Sequence, residues 1–350
     1  MKRYYNLWQQ IVHFPNLLQA AQKAQRSKRA QPNVAHFNLD LEHNLFQILN
    51  ELEHGTYRPG PYKSFHILEP KPRMISAAPY RDRVVHHALC NIIAPLLEKT
   101  MIADTYANRV GKGTHFAVER YDAYARKYPF VLKCDIKKFF PSIDHEILKQ
   151  ELRRKIACQR TLWLCDLILD NSNPQEAHLA YFPGDDLFAP TTRRHGLPIG
   201  NLTSQLWGNY YLSRLDHFVK EKLQRRAYLR YVDDFVIFGH SKEELWEVKR
   251  QIEVFLQAYR LLLHERKSRV YRCSEGVTFL GYRMFPGFRL LPSANVRKFR
   301  KRTRRKVKDY FAKKISLREF TTSLKGWEGH ALRANTWRLR IRLIKEFFGK

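Results

Sequence analysis

The chain has 350 residues, of which 44% are hydrophobic, enough for a substantial core and for two or three subdomains. Its 63 Lys and Arg against 33 Asp and Glu give a formal net charge of +30, which makes a polyanion such as nucleic acid the first candidate partner. The five cysteines form no CxxC pair, and no apolar run approaches the roughly 18 residues that span a bilayer. These features argue against a disulfide framework, a zinc site and a membrane protein. The N-terminus lacks the apolar core of a signal peptide, so a reducing cytoplasm is the expected compartment.

The spacing of apolar residues predicts a helix-rich N-terminal part. Helical intervals recur over about 4–21, 40–53 and 82–99. Between the second and third of these segments, frequent prolines and short β-prone runs predict hairpins and turns. We therefore expect residues 1–128 to form a mixed α/β region.

A β-strand that ends in an acidic residue is predicted next, in FVLKCDIKKFF (130–140). Alternate residues of a strand share a face, which sets Phe130, Leu132, Cys134 and Ile136 opposite Val131, Lys133 and Asp135. Pro141 is then expected to open a helix that runs to about Leu152.

The rest of the chain is predicted from turn signals and helical spacing. Residues 171–195 are expected to be a long loop, and GLPIGNLTSQLWGNYYL a glycine-bearing turn followed by a helix. Ser241 and Glu244 fit a capping box at the start of another helix, and GVTFLGYRMF fits a short hairpin. Residues 293–350 hold 19 Lys or Arg and 4 Asp or Glu, yet their apolar residues recur at helical intervals, which predicts a folded basic helical domain.

The segment RYVDDFVIFG (230–239) places two carboxylates inside an apolar, β-prone run. Aspartate is disfavoured in strands, and a buried charge is costly unless it is neutralised. We interpret the segment as a strand, a turn at Asp233 and Asp234, and a second strand. An ordinary surface hairpin is the alternative, although Asp-Asp is a poor two-residue turn and its flanks are apolar.

Asp135 and the Asp233–Asp234 pair each lie at the end of a β-prone segment. If the two strands are neighbours, three carboxylates meet at one sheet edge, where like charges cannot all stay ionised without cations. Two Mg²⁺ ions about 3.5–4 Å apart would neutralise them and would clamp the attacking and leaving oxygens of a phosphoryl transfer. The residues therefore predict a two-metal site that acts on a nucleoside triphosphate.

Five segments, in chain order, resemble the motifs of reverse transcriptases. KPRMISAAPYRDRVVHHAL is similar to the fingers segment of the group II intron-like branch, and CDIKKFFPSIDH to the first palm motif. GLPIGNLTSQLWGNYYL resembles the G-x-P-x-G-x-x-x-S helix, YVDD the Y-x-D-D box and FLGYRM the primer-grip hairpin. The resemblance spans roughly 55–345 and implies an α+β right-hand polymerase. Its parts would be mixed α/β fingers (1–128), a ferredoxin-like antiparallel palm (129–290, with a loop insertion at about 171–195) and a basic helical thumb (291–350).

The same resemblance implies a role for each matching residue. Asp135 and Asp233 would bind both Mg²⁺ ions, or Mn²⁺, with help from the carbonyl of Ile136, and Asp234 would be the third carboxylate, nearer the primer 3′-OH. The ring of Phe140 would collide with a ribose 2′-OH and so select dNTPs. Further substrate contacts are expected from Lys71, Arg73, Arg81, Ile199, Gly200 and Lys267, and primer contacts from Gly281 and Tyr282. Ordinary surface charge is the alternative for Lys71 and the two arginines, and a solvated helix end is the alternative for Lys267.

Two departures from the usual group II pattern narrow the resemblance. Most such enzymes carry Gln before the second glycine of the motif and Pro after its serine, whereas this chain has Ile199 before Gly200 and Gln205 after Ser204. IGNLTSQ resembles the reverse transcriptases of diversity-generating retroelements, which make error-prone cDNA from a template-repeat RNA and mutate chiefly opposite adenines. Because Ile cannot hydrogen-bond near the nascent base pair, it would lower discrimination; the alternative is that Ile199 is a packing residue.

The resemblance also implies partners and a setting. These are template RNA, the RNA/cDNA duplex, dNTPs and a small basic accessory variability protein that forms an oligomeric ring, in a bacterial, archaeal or phage-encoded system without a membrane. One alternative is a retron, abortive-infection or other group II-like reverse transcriptase, against which the TSQ box argues. The other is a catalytically inactive RNA-binding, maturase-like scaffold, against which the three carboxylates and Phe140 argue.

Overall fold

A computed structural model describes residues 2–68, 72–173 and 180–348. The N-terminal part contains helices and one antiparallel hairpin, whose first strand is exposed along its length. Its elements are α1 (Trp8–Ile11), α2 (Phe14–Ala24), α3 (Pro32–Leu39), α4 (Leu41–Glu53), β1 (Lys63–Ile67), β2 (Arg73–Ala77), α5 (Tyr80–Glu98) and α6 (Thr114–Ala125). The helix expected over 4–21 is two helices, because α2 starts anew at Phe14 with Pro15 in its first turn, where a missing N–H breaks no helical bond. The other two expected helices are α4 and α5.

The central sheet has four antiparallel strands in the order β4-β5-β3-β6. They are β3 (Phe130–Asp135), β4 (Tyr228–Tyr231), β5 (Asp234–Gly239) and β6 (Arg269–Arg272). The β3–β5 ladder runs from Phe130 opposite Gly239 to Asp135 opposite Asp234. Opposed residues of an antiparallel pair lie on the same face, so this register decides where the acidic side chains of both strands stand.

Burial confirms the alternation predicted for β3. Leu132 belongs to a large core that the sheet shares with the N-terminal helices. Val131, on the opposite face, belongs to a second core together with Tyr121 of α6 and Phe279. Asp135 lies on the face of Val131 and is only partly buried. The Asp135 side chain therefore lies on the face of β3 that packs into the second core, but at the margin of that core.

Helices link the strands of the central sheet. They are α7 (Phe139–Ser142), α8 (His145–Arg153), α9 (Gln159–Asp170), α10 (Ala189–Thr192), α11 (Leu202–Tyr211), α12 (Ser213–His217), a π-helical segment (Phe218–Lys222) and α13 (Lys242–Ala258). The helix expected from Pro141 to about Leu152 is interrupted, because the Asp144 side chain accepts the N–H of Ile147 and caps a new helix, α8. The loop expected over 171–195 contains α10, and its residues 174–179 lie outside the described ranges.

A three-stranded antiparallel sheet and three helices follow β6. Their elements are a 3₁₀ turn (Cys273–Glu275), β7 (Val277–Phe279), β8 (Tyr282–Phe285), β9 (Phe288–Leu290), α14 (Ser293–Phe311), α15 (Leu317–Ala331) and α16 (Trp337–Phe348). The predicted hairpin is present, and β9 extends it. The Phe299 and Trp327 rings stack 3.9 Å apart between α14 and α15. The fold is α+β, as predicted, and none of the helices in the described ranges is long and apolar enough to cross a membrane.

Candidate active site

The pairing of β3 with β5 brings three acidic residues together. Asp135, the last residue of β3, lies directly opposite Asp234, the first residue of β5. In such a pair the Cα atoms are about 4.5–5.5 Å apart. Asp233 precedes Asp234, and its carboxyl group senses the charges of both Asp234 and Asp135. The three carboxylates that the sequence singled out therefore meet at one edge of the sheet.

The turn between β4 and β5 lies one residue earlier than predicted. Tyr231 pairs with Asp234, so the turn residues are Val232 and Asp233 and not the two aspartates. The prediction placed both aspartates in the turn, whereas the observed register keeps Asp234 inside the ladder. Val232 has φ of 58°, a left-handed conformation that β-branched residues rarely adopt and that costs about 1–3 kcal/mol. Strain is thus stored next to Asp233.

The carboxyl group of Asp233 has an unusual electrostatic environment. Burial, followed by the charges of Asp234 and Asp135, raises its pKa to about 6. Arg73 of β2 acts in the opposite direction, which means that its guanidinium lies within electrostatic range. This site concentrates negative charge that the protein itself neutralises only in part.

Lys267 is a cation in direct contact with this cluster. Its Nζ lies 2.5 Å from Oδ2 of Asp135. The segment that carries it also fixes the end of β3, because the His264 N–H donates to the Asp135 carbonyl at 2.7 Å. The Ser268 hydroxyl lies 3.4 Å from the Asp135 amide nitrogen. Lys267, predicted from the motif resemblance, is therefore held at the carboxylates.

The residues at this edge fit a divalent cation in charge and in donor type. Carboxylate and carbonyl oxygens are the ligands that Mg²⁺ prefers. The raised pKa of Asp233 reports negative charge that such a cation would neutralise. Ile136, whose carbonyl is a predicted ligand, directly follows Asp135 and is buried. Within the described ranges, no group of three or more His, Cys, Asp or Glu is already arranged around a metal position, and Asp135 is paired with Lys267.

Phe140 lies against the helix that follows the motif glycines. A Cβ added at Gly208 of α11 would come within 3.3 Å of a Phe140 ring carbon. The Phe140 carbonyl accepts the N–H of Leu197 at 2.8 Å. The absence of a side chain at Gly208 thus leaves room for the Phe140 ring, and the partly buried ring is fixed between the two motifs.

Ile199 and Gly200 lie against β2. The Ser76 N–H donates to the Ile199 carbonyl at 2.9 Å, and a Cβ added at Gly200, where φ is 127°, would approach the Ile75 side chain to 3.2 Å. Because β2 also carries Arg73, whose charge reaches Asp233, these predicted substrate residues share one region with the carboxylates. Lys71 lies outside the described residues.

Arg81 has other partners. Its guanidinium pairs with Glu51 of α4 and lies 5.1 Å over the ring of Tyr57. It also lies 3.8 Å from the carboxylate of Asp82. These contacts tie α5 to α4. The substrate role predicted for Arg81 stays a prediction, with ordinary surface charge as its alternative.

Gly281 and Tyr282 connect the β7–β8 hairpin to the C-terminal helices. Leu280 and Gly281 both have positive φ, 44° and 87°, and form the tight turn of the hairpin. The buried Tyr282 donates its hydroxyl to the His330 carbonyl of α15 at 3.2 Å, and the two rings lie 4.4 Å apart. The Lys133 ammonium donates to the Thr278 carbonyl at 2.9 Å, which links the hairpin to the face of β3 that carries Asp135. The Tyr282 side chain is thus used for packing.

A buried ion pair beside the turn was not predicted. Arg230 and Asp216 are both fully buried, with Nη2 and Oδ2 2.6 Å apart. The Tyr228 hydroxyl donates to the same aspartate at 2.6 Å. The available signal was a charged residue within an apolar run in each segment, which is the signal that also identified Asp233. Sequence alone does not reveal that the two charges are partners.

Residues 63–284 match the family described as reverse transcriptase (RNA-dependent DNA polymerase). The match covers more than half of the chain and includes β2, the three aspartates, the α11 motif and the β7–β8 turn. The chain belongs to the reverse transcriptase family. Its members are RNA-directed DNA polymerases, so the carboxylate edge lies in a catalytic domain of that class.

Several proteins resemble this reverse transcriptase over about two thirds of the chain. Protein YkfC of Escherichia coli K12 is 24% identical over 279 residues, which cover 68% of this chain and 70% of YkfC. The group II intron-encoded protein LtrA of Lactococcus lactis subsp. cremoris is 22% identical over 309 residues, 69% of this chain and 49% of LtrA. The putative COX1/OXI3 intron 1 protein of Saccharomyces cerevisiae is 21% identical over 294 residues, 68% of this chain and 34% of that protein. The domain is thus similar to the reverse transcriptase part of group II intron-encoded proteins, and the chain spans about half or less of the length of the intron-encoded relatives.

Solved structures with some similarity include yeast telomerases. Telomerase from Candida albicans, in complex with a TWJ fragment of telomeric RNA, is 13% identical with a TM-score of 0.46, covering 74% of this chain and 55% of that chain. Apo telomerase from Candida tropicalis, truncated from its C-terminal domain, is 15% identical with a TM-score of 0.47, covering 69% and 59%. The family assignment rests on the sequence match.

Proposed function

We propose that this reverse transcriptase extends a DNA primer on an RNA template by nucleotidyl transfer from dNTPs, at a site formed by Asp135, Asp233 and Asp234. The observation that carries the proposal is the register that sets Asp135 opposite Asp234 beside Asp233, whose pKa burial and the two neighbouring charges raise to about 6. Two Mg²⁺ ions, or Mn²⁺, would supply charge stabilisation for the attacking and leaving oxygens when bound.

Each residue at the carboxylate edge has a proposed role. Asp135 and Asp233, with the carbonyl of Ile136, would hold the cations, and Asp234 would face the primer 3′-OH. Lys267, now paired with Asp135, would place its positive charge near the leaving pyrophosphate. These roles depend on carboxylate oxygens and a lysine ammonium that lie together at one end of the central strands, where they could stabilise the charge that develops in phosphoryl transfer.

The neighbouring residues would select the nucleotide. The main chain of Phe140 is held by the Leu197 N–H and its ring lies beside Gly208, and the ring would exclude a ribose 2′-OH. Arg73 is exposed on β2 and would contact the triphosphate. Ile199 and Gly200 would line the nascent base pair. Lys71 keeps its proposed triphosphate role from the motif resemblance, whereas the observed ion pair of Arg81 gives no support to one.

Primer extension tests this function. Wild-type protein, a DNA primer annealed to an RNA template, Mg²⁺ and dNTPs should give full-length cDNA, and Asp233→Ala should give none. Arg250→Gln is the control, because Arg250 is exposed on α13 and pairs with Glu247 of the same helix. The proposal fails if the wild type does not extend the primer, or if Asp233→Ala extends it as the wild type does.

We further infer that the chain serves a diversity-generating retroelement, copying a template-repeat RNA into adenine-mutagenised cDNA. The motif IGNLTSQ supports this, and so does the position of Ile199, whose carbonyl is used by Ser76 and whose side chain offers no polar group. The small basic accessory variability protein would be a partner in this role. Purifying the protein with its bound RNA and sequencing that RNA tests the assignment: a template repeat is expected, and a structured retron-type RNA would contradict it.

The role of Ile199 in fidelity has its own test. Misincorporation opposite template adenine should fall in Ile199→Gln, because Gln can hydrogen-bond near the nascent pair and Ile cannot. Incorporation opposite template uracil serves as the internal control. An unchanged rate opposite adenine would leave Ile199 as a packing residue.

A further inference from the structure

We propose that Arg230 is a positioning residue for the polymerase reaction, which holds the Val232–Asp233 turn in its strained conformation from inside the protein. The proposal rests on the function proposed for Asp233. Arg230 is the third residue of β4 and is fully buried, so it cannot itself contact a nucleotide or a nucleic acid. Its effect on the reaction would pass through the main chain of the turn.

The hydrogen bonds of Arg230 account for all of its donors. A guanidinium has five N–H groups in a planar array. Nε donates to Asp216 Oδ1 at 2.7 Å, and Nη2 donates to Asp216 Oδ2 at 2.6 Å and to the Asn209 main-chain carbonyl at 3.1 Å. Nη1 donates to the Asn209 side-chain oxygen at 3.2 Å and to the Val232 carbonyl at 2.9 Å. Only one of the five acceptors, the Val232 carbonyl, belongs to the turn.

Stability alone does not explain this buried pair. Replacing a buried ion pair with apolar residues is often neutral or stabilising. The other acceptors lie on α11 and α12, and Asn209 is itself anchored because its amide donates to the Ala107 carbonyl at 2.7 Å. The pair is therefore fixed to two helices, and its one bond to the turn reaches the carbonyl of Val232, the residue that precedes Asp233.

The turn requires such a restraint. Val232 has φ of 58°, which its branched side chain disfavours, and the β4–β5 ladder ends at the Tyr231–Asp234 pair. Relaxation of Val232 would rotate the peptide that carries Asp233 and would move its carboxylate relative to Asp135. Misplacing a reacting group by about 1 Å can reduce the rate on the order of 100-fold. Loss of the Arg230 bond should therefore slow the chemical step without weakening binding.

Kinetics of Arg230→Lys test this role. Lysine keeps the buried positive charge beside Asp216 but lacks the planar array that reaches the Val232 carbonyl. We expect kcat for single-nucleotide incorporation to fall on the order of 10- to 100-fold. The KM for dNTP and the Kd for primer–template should stay within about twofold, and thermal unfolding should remain a single transition.

Relief of the strain provides a second readout. Glycine adopts positive φ without steric cost. If Arg230 acts by restraining Val232, adding Val232→Gly to Arg230→Lys should recover at least about fivefold in kcat. A residue that merely stabilises the fold would not be rescued by a substitution in the turn.

Two further proteins separate positioning from folding. Arg230→Met with Asp216→Asn removes both buried charges, keeps an acceptor for Tyr228, and should show the same loss of kcat if Arg230→Lys does not fold. Arg214→Lys is the matched control, because Arg214 lies on α12 and pairs with the buried Glu151 at 2.8 Å without a bond to the turn. Its kcat should stay close to the wild-type value.

Three results would overturn the proposal. The first is a folded Arg230→Lys protein, or the folded double variant, that keeps more than half of the wild-type kcat. The second is a loss of kcat in Arg214→Lys as large as that in Arg230→Lys. The third is that Val232→Gly does not restore kcat to Arg230→Lys. Failure of the wild type to extend a primer would instead contradict the proposed function, so the two ideas fail on different observations.

Discussion

The residues that distinguish this site carry charged side chains at positions where apolar side chains would make the fold more stable. Asp233 is partly buried beside two other carboxylates, and Arg230 and Asp216 form a fully buried pair next to the turn that carries it. Val232, between them, has a disfavoured backbone conformation. Costs of this kind typically persist at functional sites. In the YVDD turn, a motif of the sequence, a strained backbone and unfavourable charges occur together.

The pKa of Asp233 leads to a prediction about stability. Its value of about 6 in the folded protein exceeds the ordinary 3.8, so the folded state binds this proton more tightly than the unfolded state does. The ionised carboxylate therefore destabilises the fold above about pH 6, and stability is regained as the pH falls through that value toward 4. The effect is at most about 3 kcal/mol, at 1.36 kcal/mol per unit of pKa.

Asp233→Asn should remove this dependence. In buffer free of divalent ions, the variant should melt a few degrees above the wild type at pH 7.5, and the difference should shrink toward pH 4. Asp40→Asn, at an exposed carboxylate between α3 and α4, is the control. Equal melting temperatures of wild type and Asp233→Asn at pH 7.5 would show that Asp233 is not under electrostatic pressure.

The partners of the buried charges could not be predicted from the sequence. Asp233 stood out because an acidic pair in an apolar run is rare, and Arg230 carried a similar signal. Its bonds to Asp216, Asn209 and Val232 depend on how α11 and α12 pack against β4, which no local pattern specifies. The ion pair of Arg81 with Glu51 was hidden for the same reason.

At the scale of elements, the periodicity of apolar residues predicted the strands and helices whose formation depends on a single buried face. The alternation of β3 and the helices α4 and α5 follow directly from apolar spacing. The position of the YVDD turn did not, because it depends on the register with a partner strand. The break between α1 and α2 and the short strand β9 were also missed, since a proline in a first turn and a three-residue strand leave weak signals.

The sheet of β7, β8 and β9 allows a prediction about one glycine. Gly276, just before β7, has φ of 77°, and an added Cβ would lie 2.3 Å from the Phe285 ring, which stacks on Phe288 at 4.6 Å. Gly276→Ala therefore combines a disfavoured conformation with overpacking, and should lower the free energy of unfolding by about 1–3 kcal/mol.

Gly326→Ala is the matched control for this substitution. Gly326 lies inside α15, where nothing is within 4 Å of an added Cβ, so alanine should stabilise the helix by roughly 0.5–1 kcal/mol. Denaturant unfolding of both variants measures the two effects. The packing described for the hairpin is wrong if Gly276→Ala is as stable as the wild type.

For the whole molecule, charge is distributed unevenly. The net charge is +30, and 19 of the 63 Lys and Arg lie in residues 293–350 with only 4 acidic residues. Some of the aromatic residues among them pack inward, as in the Phe299–Trp327 stack, whereas Phe311 and Trp337 are exposed. Most of the basic side chains of α14 lie at the surface. We expect this surface to contact the phosphates of a primer–template duplex.

Salt dependence of duplex binding measures that contact. Replacing the exposed Lys298, Lys301 and Arg305 of α14 with Gln should make the slope of log Kd against log salt shallower by about 2–3, because each phosphate contact releases close to one counterion. The control replaces three exposed basic residues elsewhere, Lys222, Lys242 and Arg250, with Gln. An identical change of slope in both proteins would mean that α14 has no special place in the interface.

We propose that Asp135, Asp233 and Asp234 act as one catalytic unit at the edge of the central sheet. Single-nucleotide extension of a DNA primer on an RNA template, in Mg²⁺, measures this directly for the three single Asp→Asn variants and the triple variant. Residues that act as a unit lose activity non-additively, so each folded single variant should fall by at least about 1000-fold, close to the level of the triple variant. A folded Asp135→Asn or Asp233→Asn protein that retains a tenth or more of the wild-type rate would contradict the claim.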